Sequence, residues 1–395
     1  MEVRRTRFLK LLHDGECDND VVKVVTGMRR CGKSVLLKQY QQDLIDNNRP
    51  SDRIFRINFE TLQGQEIADK AALNEWIGSH IPPDDQTFLM LDEIQNVEGW
   101  EMSVAALCTM ERCDVYITGS NSKMLSSDLA THISGRYVEI DVLPLSLAEV
   151  MECRGISDPE NALADVLVHG SLPGLDTSRG EEYATQYLDG VFNTVLVKDV
   201  LRILHMDRAD VLVDIARFLY SNIGNITNMA RIAEVVGISE PTVKRYVNAL
   251  VDARLFYYAE CYDIVGRKIL KTRGKYYATD LGMRRSVLGG AAGTDTSRPL
   301  ENLVYLELRR RGYKVRIGSY RDAEVDFTAF KGDQVHYYQV TQTMLSEETR
   351  MRELRPLESI RDNYRKTVLT MDRIGLGSEK GIDIANVVDW LSGGS

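Results

Sequence analysis

Gly27-Met28-Arg29-Arg30-Cys31-Gly32-Lys33-Ser34 is the stretch whose reading decides the fold. Its spacing, G-x-x-x-x-G-K-S, is the P-loop pattern, in which backbone amides and a helix N-terminus cradle phosphate oxygens. The flanks are those the motif requires. Val21-Val22-Lys23-Val24-Val25 reads as a buried strand ahead of it, and Val35-Leu36-Leu37-Lys38-Gln39-Tyr40 opens a helix behind it. Gly27 and Gly32 let the backbone wrap an anion. Met28, Arg29, Arg30, Cys31 and Val35 complete the expected phosphate-binding stretch. Lys33 is expected at the β- and γ-phosphates and Ser34 on Mg²⁺. A chance Gly-rich turn would not bring both flanks with it.

Working outward, Phe88-Leu89-Met90-Leu91-Asp92-Glu93 is a buried strand that delivers two acids at its C-terminal end, the edge where open α/β sheets bind ligands. Asp92 is expected in the Mg²⁺ shell and Glu93 on the attacking water. Arg53 to Glu60 alternates as a strand, and Asp114-Val115-Tyr116-Ile117-Thr118-Gly119 is a further buried one ending in Ser120 and Asn121. Both of those polar residues are candidates for the γ-phosphate or the lytic water, and the residues do not separate them. Gly135 to Ile140 opens a fifth strand. Arg136, just ahead of it, is either a surface arginine or one that reaches the γ-phosphate of a neighbouring subunit, a role worth about 10³–10⁵ in turnover.

The 395 residues suggest two to four domains. Apolar content of 44% and charged content of 27% are ordinary for a globular protein, and a net charge of −9 excludes a chain coated in basic surface. The six cysteines form no C-x-x-C pair, so neither zinc nor a disulfide framework is indicated. The charged N-terminus reads as no signal peptide, and no run of eighteen apolar residues occurs, so a cytoplasmic location and no membrane are expected.

Five strands with a P-loop after the first and an acid pair after the third resemble the core of the AAA superfamily. Val24 to Ser34, Leu91-Asp92-Glu93-Ile94-Gln95, Ile117 to Ser122, and Gly135-Arg136-Tyr137 leading into Leu143-Pro144-Leu145-Ser146 are similar to one family within it. Gly170-Ser171-Leu172-Pro173 and Val195 to Val200 continue the likeness over most of the chain. That family comprises uncharacterised prokaryotic ATPases with an AAA core, a winged helix and a nuclease-like C-terminal domain. The resemblance implies an α/β fold: a P-loop NTPase (AAA-type) parallel-sheet core, residues 1–145; a helical lid, 146–207; a winged helix, 208–290; and a restriction-endonuclease-like α/β domain, 291–395. It also implies ATP, since no residue selects a base.

Within 146–207 helices are expected over 147–153, 162–168, 182–194 and 198–204. In 208–290, Asn228 to Val236 and a helix capped by Ser239, with Pro241 in its first turn, form a helix–turn–helix around Gly237. Thr242, Lys244, Arg245 and Asn248 face away from Val243, Val247, Leu250 and Val251, as a recognition helix requires. Strands over 255–262 and 275–279 would form a wing whose connection carries Arg267, Lys268, Lys271 and Arg273, with Lys275 at the second strand's start. These basic residues are the candidate DNA contacts.

Residues 291–300 read as a linker. Beyond them the order of elements resembles the restriction-endonuclease-like fold, whose metal site takes a helix glutamate, a strand aspartate and an acid-x-lysine. Glu301 and Asp326 match the first two, Gln339-Val340-Thr341 departs from the third, and Glu324 lies on the same strand face as Asp326. A degenerate domain is therefore expected, with nuclease activity unlikely. The reading is a Mg²⁺-dependent ATPase acting as a DNA-associated motor or switch, with homo-oligomers if Arg136 acts in trans. The alternatives are a nucleotide-gated signalling ATPase with a protein partner and an ATP-gated nuclease.

Overall fold

Val22–Thr26 (β1), Ile54–Asn58 (β2), Thr87–Asp92 (β3), Cys113–Gly119 (β4) and Tyr137–Asp141 (β5) form one sheet in the order β2-β3-β4-β1-β5. Every pairing is parallel. The three inner strands are buried along their whole length, while β2 and β5 at the edges are buried only in part. That is the reason the inner strands read as mostly apolar runs, broken by the buried pair Lys23 and Asp114: a parallel sheet is covered on both faces. Val22, Val24, Ile57, Leu89, Leu91, Val115 and Ile117 pack with Leu73 and Ile77 of Lys70–His80 and with Trp100 and Val104 of Trp100–Leu107. Side chains alternate across a strand, so Tyr116 points the other way. It meets Tyr40 of the helix Lys33–Asp46, oxygen to oxygen at 2.6 Å.

The computed structural model describes residues 2–82, 85–110, 112–121, 133, 135–201, 204, 208–289 and 296–393, with only the backbone of Lys271 and Thr272. The chain divides into two units: Glu2–Leu143 with Asp252–Arg254, and Pro144–Val251 with Leu255–Ser395.

The second unit opens with helices Leu147–Arg154, Pro159–His169 and Glu181–Thr194. The expected helix over 198–204 is instead a π-helical turn, Val195–Leu201, and most of residues 202–207 lie outside the described residues. Gly170 has φ +73°, and a Cβ there would run into the buried Asp280 carboxylate, which accepts from Ser171 N at 2.7 Å. Its glycine therefore answers a packing need. Helices Ala209–Ser221, Met229–Val236 and Glu240–Asp252 come next. Asn228 caps the second, and Gly237, at φ +73°, ends it in the left-handed conformation that the tight turn needs.

The hairpin Phe256–Asp263 (β6) and Lys268–Ala278 (β7) differs from expectation. The second strand starts seven residues earlier than 275, so Lys268, Lys271 and Arg273 lie in it, and only Arg267 is in the turn. Lys275 is buried, not part of a basic surface. The segment before Met229 lies along β7, with Gly224 N donating to Tyr276 O and Thr227 N to Gly274 O, both at 3.1 Å.

Lys314–Tyr320 (β8), Ala323–Lys331 (β9), Gln334–Thr341 (β10), Arg365–Thr370 (β11), Gly377–Glu379 (β12) and Ile382–Asn386 (β13) complete an eight-stranded sheet, β12-β13-β11-β10-β9-β8-β6-β7. β8, β9 and β10 form an antiparallel meander, and β10, β11 and β13 run parallel. The hairpin joins this sheet through β6, which pairs parallel to β8 at Cys261↔Ile317. The expected boundary between 290 and 291 thus divides residues that share one sheet. Helices Ser297–Arg310 and Glu347–Ser359 pack on it. Residues 291–295 of the expected linker lie outside the described residues, and Ser297 to Leu300 are already helical.

Candidate functional site

In the first unit the P-loop runs from the end of β1 into the helix Lys33–Asp46. Gly27 has φ +146°, and a Cβ there would collide with Val142 O and the Cys31 sulfur. Arg30 and Gly32 are also left-handed, at φ +70° and +103°. The loop is fixed from behind by Arg5, only 2% exposed, which donates to Cys31 O at 3.1 Å and to Leu143 O at 2.7 Å. Met28 and Cys31 are buried, and burial pushes the Cys31 thiol up. Arg29 Nη1 donates to Glu60 Oε1 at 2.7 Å.

Lys33 is buried, with its ammonium donating to Gly27 O at 3.0 Å and Met28 O at 3.3 Å, and 3.6 Å from Glu93 Oε1. Asp92, fully buried, accepts from Thr118 Oγ1 at 2.6 Å and from Asn58 Nδ2 at 2.7 Å. The same Thr118 oxygen accepts from Glu93 N at 2.9 Å. Glu93 stands at φ +58°, a left-handed conformation that costs a glutamate about 1–3 kcal/mol. Gln95 Nε2 donates to Glu93 Oε2 at 2.5 Å, and Gln95 Oε1 is buried with no hydrogen-bond partner.

Register explains the convergence. Asn58 pairs with Asp92 across β2–β3, and Leu91 with Ile117 across β3–β4. The polar ends of three buried strands therefore meet at one edge, beside the loop that leaves β1. Ser120 and Asn121, both buried, lie just past β4 at that edge. Ser34 sits in the first turn of the P-loop helix. Lys33, Ser34, Asp92, Glu93, Ser120 and Asn121 are thus all on elements that end or begin at this edge. A loop that excludes any Cβ at Gly27, a buried cation and a buried, already hydrogen-bonded carboxylate suit a polyphosphate with a hard divalent cation. Ser34 and Asp92 would hold that cation.

Arg136 is not brought to this edge. Tyr137 pairs with Val22, at the start of β1, and Asp141 with Thr26, at its end. Five residue rises, about 16 Å, therefore separate Arg136 from the P-loop end of its own sheet. Its Nε donates to Ile133 O at 3.2 Å.

Thr118, Asn58, Gln95 and Arg5 were not singled out by sequence reasoning. The first two carried a signal: a polar residue following an apolar one at the C-terminal end of a strand. Gln95 and Arg5 carried none.

In the second unit Lys244, Arg245 and Asn248 are exposed on Glu240–Asp252, opposite the buried Val243, Tyr246, Val247 and Leu250. Arg267, Lys268 and Arg273 are exposed on the hairpin, and the Lys271 side chain lies outside the described residues. Glu301, Glu324, Asp326 and Gln339 do come together, but around the hairpin's Lys275.

Residues 19–151 match the family model described as an AAA domain, and residues 160–293 match a domain of unknown function. An uncharacterized protein of Haemophilus influenzae is 36% identical over 385 residues, which cover 95% of this chain and 95% of that protein. An uncharacterized protein of Methanocaldococcus jannaschii is 30% identical over 380 residues, 90% of this chain and 81% of the relative. Among solved structures, Aeropyrum pernix Orc1 in complex with DNA is 12% identical, with a TM-score of 0.34 over 73% of this chain and 93% of that one. AMPPCP-bound DnaA from Aquifex aeolicus is 11% identical, with a TM-score of 0.31 over 61% of this chain and 86% of that one. No helix among the described residues is long and apolar enough to cross a membrane.

Proposed function

The chain belongs to the family of AAA-domain proteins that includes these full-length relatives from Haemophilus influenzae and Methanocaldococcus jannaschii, and from that membership we propose that it is a Mg²⁺-dependent ATPase acting as a DNA-associated motor or switch. The observation that carries the reading is Thr118 Oγ1, which holds Asp92 and the backbone of Glu93 at once, with Lys33 3.6 Å from the Glu93 carboxylate. A cation for phosphates, a carboxylate for a metal and a second carboxylate for water are then fixed at one sheet edge.

In this reading Lys33 exchanges the Gly27 and Met28 carbonyls for β- and γ-phosphate oxygens. Glu93 is left without its cation, and its carboxylate accepts a proton from the water that attacks the γ-phosphorus. The bond from the γ-phosphorus to the bridging oxygen breaks, and ADP carries that electron pair away. Ser34 and Asp92 would hold Mg²⁺, which would supply charge neutralisation for the phosphate oxygens. Ser120 or Asn121 contacts the γ-phosphate or the water. The exposed Lys244 and Arg245, and Arg267, Lys268, Lys271 and Arg273 of the hairpin, are the proposed phosphate contacts to duplex DNA, as in a winged helix.

Steady-state ATP turnover with Mg²⁺, measured with and without duplex DNA, tests this. We expect slow turnover that DNA raises, and loss of the DNA effect, with basal turnover intact, in Lys244→Glu/Arg245→Glu. No turnover in the wild-type chain would refute the ATPase reading. Turnover that DNA leaves unchanged would refute the DNA role and leave a protein partner as the target.

A further inference from the structure

Three acids beside the C-terminal sheet, the buried Asp326, the half-buried Glu301 and the exposed Glu324, are organised around a lysine that lies far from them in sequence. Lys275 on β7 is 4% exposed. Its Nζ is 3.1 Å from Glu301 Oε1, on the helix Ser297–Arg310, and 2.6 Å from Glu324 Oε1, on β9. Tyr277, two residues along β7 on the same face, donates its hydroxyl to that Glu301 oxygen at 2.6 Å. Asp326 Oδ2 accepts from Val340 N at 2.8 Å, and Asp326 N donates to Gln339 Oε1 at 3.3 Å. Gln339 spends its amide on Glu353 Oε2, 3.1 Å away.

The resemblance to nuclease-like domains implies Mg²⁺ here, and these residues do not fit it. A divalent cation needs several oxygens converging within about 2.0–2.6 Å. Here the oxygens are arranged at hydrogen-bond distance around an ammonium, a phenol and a backbone amide. Among the described residues no three His, Cys, Asp or Glu side chains converge as a metal cluster. Glutamine at 339 also replaces a carboxylate by a neutral group, and Thr341 carries no cation.

We propose that Lys275 is the resident cation of this site: its ammonium stands where a metal would be needed, and closes the carboxylate cluster as a structural lock. Burial works against the charge on Lys275, yet Glu301, Asp326 and Glu324 outweigh it and hold its pKa above the ordinary lysine range. Burial pushes the Asp326 and Glu301 carboxyls up, and the Lys275 ammonium opposes that shift in both. The lock joins three elements that are not sequence neighbours: β7, the helix Ser297–Arg310 and β9. It accounts for a hairpin that belongs to the C-terminal sheet, and it makes that sheet a rigid holder for the exposed Arg267, Lys268 and Arg273 rather than a cutting site.

The test uses the full chain without nucleotide, in an Asp92→Asn background, which removes the carboxylate assigned to the P-loop cation. Bound Mn²⁺ is counted by electron paramagnetic resonance, and the melting temperature is followed with and without millimolar Mn²⁺. With Lys275 intact, the protein should bind no Mn²⁺ that Asp326→Asn removes, and plasmid DNA should stay intact. Lys275→Ala should melt roughly 5–10 °C lower, as expected for breaking a buried ion pair in a domain of this size, and Mn²⁺ should recover several degrees in it but not in the protein that keeps Lys275. Lys275→Met/Glu301→Gln, which removes charge from both sides, should melt above Lys275→Met. If Lys275→Ala does not fold, this last comparison and the Mn²⁺ count with Lys275 intact still decide. One Mn²⁺ bound with Lys275 intact and lost in Asp326→Asn, or metal-dependent cleavage lost in Asp326→Asn, would overturn the proposal. So would a Lys275→Ala protein that melts like its parent.

Discussion

Glu93 is bound from three sides: its backbone N–H by Thr118, one carboxylate oxygen by Gln95, and the other near Lys33. In the proposed reading Lys33 leaves Glu93 when it takes up the phosphates, which couples phosphate binding to the freeing of that carboxylate through one ammonium. Lys33→Ala is then expected to abolish both ATP binding and turnover. Glu93→Gln should keep binding, read by a fluorescent ATP analogue, while turnover falls at least about 100-fold, the scale of a general base. Thr118 gives the sharper case. Thr118→Val keeps the shape but leaves an Asp92 oxygen and the Glu93 N–H unpaired. Turnover should fall about 10–100-fold with little change in ATP affinity, and Thr118→Ser should restore most of it; a valine variant with wild-type turnover would remove the threonine from the mechanism. The P-loop and the Asp92-Glu93 pair were legible because their chemistry is carried by contiguous residues. Asn58, Thr118 and Gln95 act on that pair through strand register and a loop turn, which contiguous residues do not reveal.

Elements buried on both faces were read well, since an unbroken apolar run such as Phe88 to Leu91 has few other uses. The β7 strand was not. Lys268, Lys271 and Arg273 flank the apolar pair Ile269-Leu270 with no clean alternation, on the last strand of the sheet, where lysines are tolerated because one side is solvated. Such a strand reads as a loop until its pairing with β6 is known. The opposite case is His336 on β10, a polar residue held inside. Its Nε2 lies 2.8 Å from Thr367 Oγ1, its ring stacks on Tyr338 at 4.0 Å, and burial, aided by Arg365, lowers its pKa to about 4. The folded state therefore holds a neutral imidazole, and the unfolded chain, titrating near 6.5, binds the extra proton first. Stability should be full above about pH 6.5 and fall as pH drops toward 4, by about 1–3 kcal/mol from this group. His336→Gln should flatten the dependence of denaturation midpoint on pH in that window. An unchanged slope would mean that His336 is protonated in the folded chain or exposed.

On the scale of the whole molecule, the AAA domain was legible, whereas strands on either side of the expected 290/291 boundary share one sheet. Composition changes there, but β6–β8 pairing crosses it, and pairing between distant strands leaves no mark in composition. Arg136 raises a question at the same scale. It precedes β5 at the end of the sheet remote from Lys33, about 16 Å along the strands, so it does not serve a nucleotide in its own chain's P-loop without unravelling β5. If it supports catalysis, it does so for a second copy, and the two defects then lie on different sites. Lys33→Ala spoils the nucleotide site but keeps the arginine. Arg136→Ala keeps the nucleotide site but lacks the arginine. Each alone should be nearly inactive, with Arg136→Ala down by about 10³-fold or more, as for an arginine supplied in trans. Mixed in equal amounts, they should form interfaces with one intact site, and turnover should rise well above the sum of the separate preparations. Wild-type turnover per chain should also climb with protein concentration. A mixture that gives only the arithmetic sum, beside an Arg136→Ala protein of wild-type rate, would make Arg136 a surface residue and the single chain the complete ATPase.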